Sequence, residues 1–190
     1  MPRSEFDIIH NLALKRLEGL DPKLTYHCID HTLDVLKHST RIANDEGINS
    51  RELFLLKVAA VYHDIGFLYK YDGHEEKGCE IFLEDCGRFN LKDSEIELIL
   101  GLIRATKVPQ QPKNLLQRII CDADLDYLGR IDFMEIASRL QTEFMNYSIV
   151  PNETRWRELQ LKFLEGHHYH TNSSRLLREP VKKANIKRIK

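Results

Sequence analysis

The chain has 190 residues, of which 42% are hydrophobic and 30% are charged. This length fits one domain of ordinary size, which can bury a substantial core. The 28 Lys and Arg residues nearly balance the 29 Asp and Glu residues, so the formal net charge of -1 gives no general attraction to nucleic acid or to an anionic membrane. An anionic ligand must therefore be held by local groups.

The beginning of the chain is charged from its third residue onward and lacks the apolar core and cleavage site of a secretory signal. No apolar stretch approaches the roughly 20 residues that a membrane-spanning helix needs. The four cysteines show no C-x-x-C spacing and lie among apolar neighbours, which is typical of buried reduced thiols. We therefore expect a cytoplasmic protein that has neither a membrane nor a nucleic-acid polymer as its partner.

Apolar residues recur at three- and four-residue spacing along most of the chain, without a sustained two-residue alternation. This pattern predicts an all-α fold, with a single helical domain over residues 1–181. Turn and capping residues place its helices at 4–19, 27–46, 51–64, 74–86, 92–106, 114–128, 132–146, 152–166 and 172–178. The basic tail at 182–190 is predicted to be disordered.

Two histidines and a histidine–aspartate pair indicate a metal site. His27 and His31 are four residues apart and would share one face of the second predicted helix. His63 and Asp64 follow a run of small and apolar residues, which predicts a central helix. A carboxylate at the end of a buried helix is costly unless it is paired or bound to a metal ion. Gly66 then ends the helix and is expected to leave room for a ligand.

Three aspartates alternate with apolar residues in a later predicted helix. Asp122 and Asp126 share one face, whereas Asp124 lies about 200° around the helix from Asp122. Asp124 is in register with the apolar residues Ile120 and Leu128, so it needs a partner for burial and is the favoured metal ligand. Asp122 and Asp126 are predicted to form a solvated acidic face, and Asp122 is the alternative ligand.

The ordered set His31, His63-Asp64 and Asp124 resembles the H…HD…D signature of the HD-domain superfamily of metal-dependent phosphohydrolases. The similarity covers about residues 24–130. It implies a single-domain HD-type helical bundle in which His31, His63, Asp64 and Asp124 bind the metal, with Asp64 also serving catalysis. The combination of residues is specific, although each part alone is not.

The run from Tyr26 through His27 to His31 is similar to one in the cyclic-nucleotide phosphodiesterase branch of that superfamily. There, the histidine that matches His27 protonates the leaving oxygen, so the resemblance implies a catalytic role for His27. The chain departs from that branch because Cys28 replaces the asparagine that follows this histidine. The substrate therefore does not transfer.

The nitrogen and oxygen donors suit one or two divalent transition-metal ions, namely Mn²⁺, Fe²⁺, Co²⁺, Ni²⁺ or Zn²⁺, with Mg²⁺ as a further option. Such an ion would acidify water and polarise a phosphoryl oxygen. We therefore expect a metal-dependent phosphohydrolase, either a phosphomonoesterase or a phosphodiesterase, that acts on a small phosphorylated compound such as a nucleotide. The alternatives are a metal- or nucleotide-binding regulatory domain with negligible turnover, and a helical interaction module that binds no metal.

Three further residues are candidates for contacts with the substrate or a second metal ion. His74 begins a predicted helix, where it either belongs to an ordinary charged first turn or contacts a phosphate or an ion. Arg104 and Lys107 lie near a helix end, where cations either stabilise the carboxyl end of the helix or bind a phosphate.

Two late segments are expected to be structural. A histidine-rich junction has the composition of a metal site, but we expect Tyr169 to pack there and the histidines to be solvated. These histidines are His167, His168 and His170. Trp156, Leu159 and Phe163 follow helical spacing and are predicted to form a core stripe rather than a base-stacking platform.

Overall fold

The computed structural model describes residues 4–190 and shows only helices and their connections in that range. The α-helices are α1 Glu5–Leu17, α2 Ile29–Asp45, α3 Ser50–Tyr62, α4 His74–Cys86, α5 Asp93–Ala105, α6 Leu115–Asp124, α7 Phe133–Asn146, α8 Glu153–Gly166 and α9 Asn172–Ile189. Two short 3₁₀ helices are η1 Ile65–Leu68 and η2 Asp126–Gly129. The prediction of an all-α, single-domain fold is confirmed. No helix in this range is both long enough and apolar enough to cross a bilayer.

Helix α3 occupies the centre of the larger of two apolar clusters. Its residues from Leu55 to Tyr62 are almost all buried, and it packs against α1, α2 and α5. The helix begins where the Asn49 side chain accepts hydrogen bonds from two backbone N–H groups of its first turn. The predicted central helix is therefore present, and it delivers the residues that follow it to the interior.

A second apolar cluster joins η2 to the carboxy-terminal helices α7, α8 and α9. Leu128, Phe133, Trp156 and Leu164 are among its buried members. Helix α6 ends between the clusters, because Ala123 packs in the first and Leu125 in the second. Asp124 therefore lies at the boundary between the two.

Gly66 allows η1 to pack directly on the start of α4. A Cβ atom at this position would lie 1.9 Å from the carbonyl oxygen of His74, so any other residue would push the two backbones apart. The expectation that Gly66 leaves room for a ligand is wrong, since the backbone of α4 fills that room. The close approach instead brings His74 next to the end of α3.

Helix α9 continues through the segment that was predicted to be a disordered tail. Lys182, Asn185 and Ile189 follow helical spacing and are buried, with 2%, 1% and 6% of their surfaces exposed. The Asn185 amide donates hydrogen bonds to the carbonyl groups of Leu128 and Arg130. The prediction of disorder is wrong, because residues at three- and four-residue spacing in this basic segment form one buried face of the helix.

Candidate metal centre and adjoining cavity

Three helix ends bring four side chains to one point. The Nε2 atom of His31 in α2 lies 3.2 Å from Asp124 Oδ1, 3.3 Å from Asp64 Oδ2 and 3.4 Å from His63 Nε2. His63 Nε2 lies 3.1 Å from Asp64 Oδ2 and 3.7 Å from Asp124 Oδ1. One donor atom from each of His31, His63 and Asp124 lies within 4.8 Å of the others. The structure thus brings together all four residues that the motif selects.

The local fold fixes which nitrogen of His63 faces this point. His63 is the first residue after α3 and is fully buried, and its Nδ1 lies 2.9 Å from the carbonyl oxygen of Ala60. A carbonyl oxygen only accepts hydrogen bonds, so Nδ1 carries a proton and Nε2 is the nitrogen that faces the site. Asp64 then turns the chain into η1. Two consecutive residues can therefore contribute to one centre.

The charges of the site stabilise one another. Burial alone would lower the pKa of His31, but a hydrogen bond to Asp124 and the negative charges of Asp64 and Asp124 raise it to about 9. The charge of Asp64 likewise raises the pKa of His63 against the effect of burial. Burial opposes ionisation of Asp64 and Asp124, but the histidines lower the pKa of Asp64 well below its usual range and that of Asp124 to about 2.

The arrangement fits a divalent cation. Oδ2 of Asp64 is buried and has no hydrogen-bond partner within residues 4–190, and a charged oxygen in that position needs a cation. Donors that surround one transition-metal ion are roughly 3.0–3.6 Å apart, given ligand distances of about 2.0–2.2 Å. Most of the separations between the donors of His31, His63, Asp64 and Asp124 fall in this range. Two imidazole nitrogens with two carboxylates also form a donor set that suits such an ion.

His27 lies before α2 rather than on it. The backbone N–H groups of Tyr26 and His27 donate to Oε2 of Glu143 over 2.9 and 3.0 Å, and α2 begins only at Ile29. The prediction that His27 and His31 share a helical face is therefore wrong, because a buried carboxylate holds this segment out of the helix. Their rings nevertheless approach to 5.9 Å.

Glu143 of α7 also forms a close hydrogen bond with Nδ1 of His27 and accepts one from the Tyr71 hydroxyl. Burial would raise the pKa of Glu143, but its hydrogen bond with His27 lowers it, so the carboxylate is charged. It therefore keeps the proton on Nδ1 of His27 and leaves Nε2 for other contacts. The sequence analysis missed Glu143, although an acid between Leu140 and Phe144 on the apolar side of a helix was the available signal.

His74 is part of the same site. Its Nδ1 lies 3.0 Å from the carbonyl oxygen of Tyr71, and its Nε2 lies 3.4 Å from Asp64 Oδ1. The ring stacks on Phe67, with 3.9 Å between centroids. Burial would lower the pKa of His74, but the hydrogen bond to Asp64 raises it. His74 therefore lies close enough to the centre for a contact with the substrate or with a second ion.

Arg104 and Lys107, the two cationic side chains predicted to contact a ligand, lie in different places. Lys107 lines a cavity beside the metal centre. Arg104 forms a half-exposed ion pair with Glu76, with its Nε atom 2.9 and 3.1 Å from the two carboxylate oxygens, and it does not line that cavity. Only Lys107 is therefore in position to meet a ligand there.

Comparison with known proteins agrees with this geometry. The model of the HD domain family matches residues 28–126, which is more than half of the chain. The chain belongs to the HD domain family. Curated proteins include no significant match to this sequence.

Solved structures with low sequence identity share this HD fold. A protein from Lactobacillus plantarum is 20% identical over 99% of this chain and 96% of its own, with a TM-score of 0.68. Bacillus subtilis YpgQ in complex with ADP is 17% identical over 97% of this chain and 91% of its own, with a TM-score of 0.61. A predicted HD superfamily hydrolase from an uncultured Thermotogales bacterium is 23% identical over 84% and 91%, with a TM-score of 0.58.

Asp122 and Asp126 do not form the solvated face that was predicted next to the HD motif. Both are fully buried. Asp122 accepts hydrogen bonds from the backbone of His170 and from the backbone and hydroxyl of Thr171. Helix α6 ends at Asp124, so its helical register does not extend to Asp126, whose carboxylate is partnered by arginines from other helices.

The histidine-rich junction is only partly as expected. Tyr169 is buried and His168 is exposed, as predicted, but His167 is buried. Burial and the nearby Lys182 ammonium lower the pKa of His167 to about 3, so the ring is neutral. The expectation that all three histidines are solvated is wrong for His167, because α9 continues far enough to cover it.

A cavity of about 540 Å³ adjoins the metal centre of this HD domain. His27, Asp64, His74 and Asp124 lie at its polar end. Its other lining residues include an apolar set from α7 and α8, namely Leu140, Phe144, Trp156, Leu159, Phe163 and Leu164. The predicted core stripe at Trp156, Leu159 and Phe163 is thus also a cavity wall, and Leu159 is 41% exposed.

Proposed function

We propose that this protein is a metal-dependent phosphohydrolase, either a phosphomonoesterase or a phosphodiesterase, that acts on a small phosphorylated compound. The observation that carries the proposal is the convergence of His31, His63, Asp64 and Asp124 at the end of a cavity, where one buried Asp64 oxygen has no hydrogen-bond partner within residues 4–190. Membership in the HD domain family supports a metal-dependent hydrolase.

His31, His63, Asp64 and Asp124 would hold the ion. A bound Mn²⁺, Fe²⁺, Co²⁺, Ni²⁺, Zn²⁺ or Mg²⁺ ion supplies Lewis acidity, which acidifies water and neutralises charge on a phosphoryl oxygen. The protein's part is to fix the donors. His63 does so through its hydrogen bond from Nδ1 to Ala60, which makes Nε2 the nitrogen available to an ion.

His27 would protonate the leaving oxygen. It lines the cavity together with Asp64 and Asp124, and its Nδ1 is held by the buried Glu143 carboxylate. With Nδ1 engaged by Glu143, Nε2 is the nitrogen that can pass a proton to the leaving oxygen. His74 and Lys107 line the same end of the cavity and would orient the phosphate.

A nucleotide is one member of the proposed substrate class. The structure of YpgQ, which shares this fold, is a complex with ADP. We therefore include AMP and ADP among the compounds to test, beside simple phosphate monoesters and diesters.

The test is elemental analysis of protein purified without a polyhistidine tag, followed by phosphate release from a panel of esters in the presence of Mn²⁺. We expect the purified protein to contain a transition metal and to hydrolyse at least one ester. His63→Ala should lose both properties, because it removes a fully buried donor. His168→Ala is the matched control, since this histidine is exposed and should change neither.

Unchanged metal content in His63→Ala and Asp64→Ala would contradict the proposed metal centre. Tight metal binding without hydrolysis of any ester would contradict the enzymatic function. That second result would instead assign the protein to the regulatory class of metal- or nucleotide-binding domains.

A further inference from the structure

The cavity beside the metal centre has two chemically different ends. Among its lining residues that follow Asp124 in the chain, only Tyr127, Trp156 and Gln160 have a polar group in their side chains, and none is charged. On α7 and α8 the apolar residues recur at three- and four-residue spacing, so each helix presents a continuous apolar face. Phe144 and Trp156 meet edge to face at this wall, with 5.5 Å between their centroids.

The size and lining of this cavity suit a ligand with an apolar part. Protein interiors pack densely and contain few voids larger than a water molecule. A cavity of about 540 Å³ is within the range of pockets that hold small organic ligands. Its apolar wall cannot hydrogen-bond to water, so displacing water from it with an apolar group is favourable.

The charges at the polar end limit the number of phosphates. Four carboxylates line the cavity, at Asp64, Asp72, Glu75 and Asp124, whereas Lys107 is the one Lys or Arg among the lining residues. An ion at the centre could neutralise one phosphate group. Each additional phosphate would add negative charge beside carboxylates without a further lysine or arginine to receive it.

We infer that the substrate is a single phosphate ester of an apolar alkyl or aryl alcohol, whose organic group occupies the wall formed by α7 and α8. The phosphate would face the metal centre, and in this respect the inference rests on the proposed function. Binding of an apolar group to this wall requires neither a bound metal ion nor hydrolysis. Residues outside the matched 28–126 range would therefore select the organic group.

The first test is a series of n-alkyl phosphates from ethyl to decyl, with AMP and ADP for comparison. Burial of one methylene group is worth about 0.8 kcal/mol, so kcat/KM should rise about fourfold per added methylene until the cavity is full. ADP should be a poorer substrate than octyl phosphate. A flat series, or a preference for ADP, would overturn the inference while leaving the phosphohydrolase proposal intact.

The second test measures binding without hydrolysis. Trp156 is the only tryptophan of the chain and lines the wall, so its fluorescence reports on an occupant of the cavity. We expect n-alkanols to shift this fluorescence in metal-free protein, with affinity increasing with chain length. A length-dependent shift in a protein that hydrolyses no ester would support the apolar site and contradict only the proposed function. An absent shift would count against the apolar site.

A pair of leucine variants separates the cavity from general stability. Leu159 lines the cavity and is 41% exposed, whereas Leu177 in α9 is 48% exposed and does not line it. Leu159→Asn should lower kcat/KM for octyl phosphate at least about tenfold and for ethyl phosphate less than about twofold. Leu177→Asn should leave the ratio of the two substrates unchanged, and equal effects of both variants would refute the assignment of the wall.

Discussion

The candidate metal centre and the carboxy-terminal helices contribute to the cavity in different ways. Within residues 28–126, a short ordered motif brings polar side chains to one point, and each is fixed by neighbours in the same region. Helices α7 and α8 contribute apolar residues at helical spacing, without any motif. The comparison teaches that the residues of a candidate metal site can leave a recognisable sequence signature, whereas the residues that line the adjoining cavity need not.

The sharpest test of this division uses two aspartates that are two residues apart. Asp124→Asn should abolish metal binding, because it removes a proposed ligand. Asp126→Asn should retain the metal but lower the free energy of unfolding by about 3–5 kcal/mol, the usual effect of breaking a buried ion pair. This loss is expected because Arg41 and Arg178 would lose a fully buried carboxylate at 3.0 and 2.9 Å.

Metal content by elemental analysis and stability by urea unfolding of the metal-free protein distinguish these outcomes. Loss of metal in Asp126→Asn, with normal metal content in Asp124→Asn, would mean that Asp126 rather than Asp124 is the metal ligand. If the two variants changed metal content and stability equally, Asp124 would not be the metal-binding aspartate and Asp126 the structural one.

His27 and Glu143 allow a test of a polar contact between the segment that precedes α2 and helix α7. His27→Ala should retain the metal and lose about 10²–10⁴-fold in turnover of an alkyl ester, the usual scale for general acid catalysis. A nitrophenyl ester should lose much less, because its leaving group needs little protonation. Loss of metal in this variant would make His27 a ligand, and full activity on both esters would remove it from the site.

Glu143→Gln should lower turnover of the alkyl ester less than His27→Ala does, because the imidazole remains. The loss should fall on kcat rather than on KM, because Glu143 holds the His27 ring in place and does not itself line the cavity. The matched control is Glu135→Gln, in the exposed first turn of the same helix. An unchanged kcat in Glu143→Gln would assign this carboxylate to structure alone.

A smaller effect is expected from His167, which belongs wholly to the carboxy-terminal region. Its pKa is about 3 in the fold, against 6.5 ordinarily, so below pH 6.5 the unfolded chain binds a proton that the folded protein does not. Stability due to this group is therefore lost as the pH falls. Between pH 7 and pH 5 the free energy of unfolding should fall by about 2 kcal/mol more in the unsubstituted protein than in the His167→Gln variant, as measured by urea unfolding. His168→Gln should behave like the unsubstituted protein, and an equal pH effect in His167→Gln would mean that His167 is not held neutral.

The helical fold and the four motif residues could be predicted because each leaves a local signal. Apolar spacing predicted the helices, and the resemblance to the HD signature implied the convergence of His31, His63, Asp64 and Asp124 that the structure has. The register at Asp126 could not be predicted, because helical spacing does not show that α6 ends at Asp124.

Long-range contacts account for the other differences between the predictions from the sequence and the structure. Whether His27 lies on α2 depends on Glu143, which is 116 residues away along the chain. The order of residues 182–190 depends on side chains such as Asn185, whose partners lie more than 50 residues away. The cavity wall has the same spacing as a core stripe, because both are apolar helix faces. Such features are set by which helices meet, and local patterns do not specify this.

The position of Glu143 on α7, between Leu140 and Phe144, has a consequence for how related proteins can diverge. One helix carries both the partner of His27 and part of the apolar wall. A chimera that joined residues 28–126 of this chain to the carboxy-terminal helices of a relative would exchange both at once. Under the roles proposed above, substrate range and leaving-group requirement would then be inherited together, as one evolutionary unit.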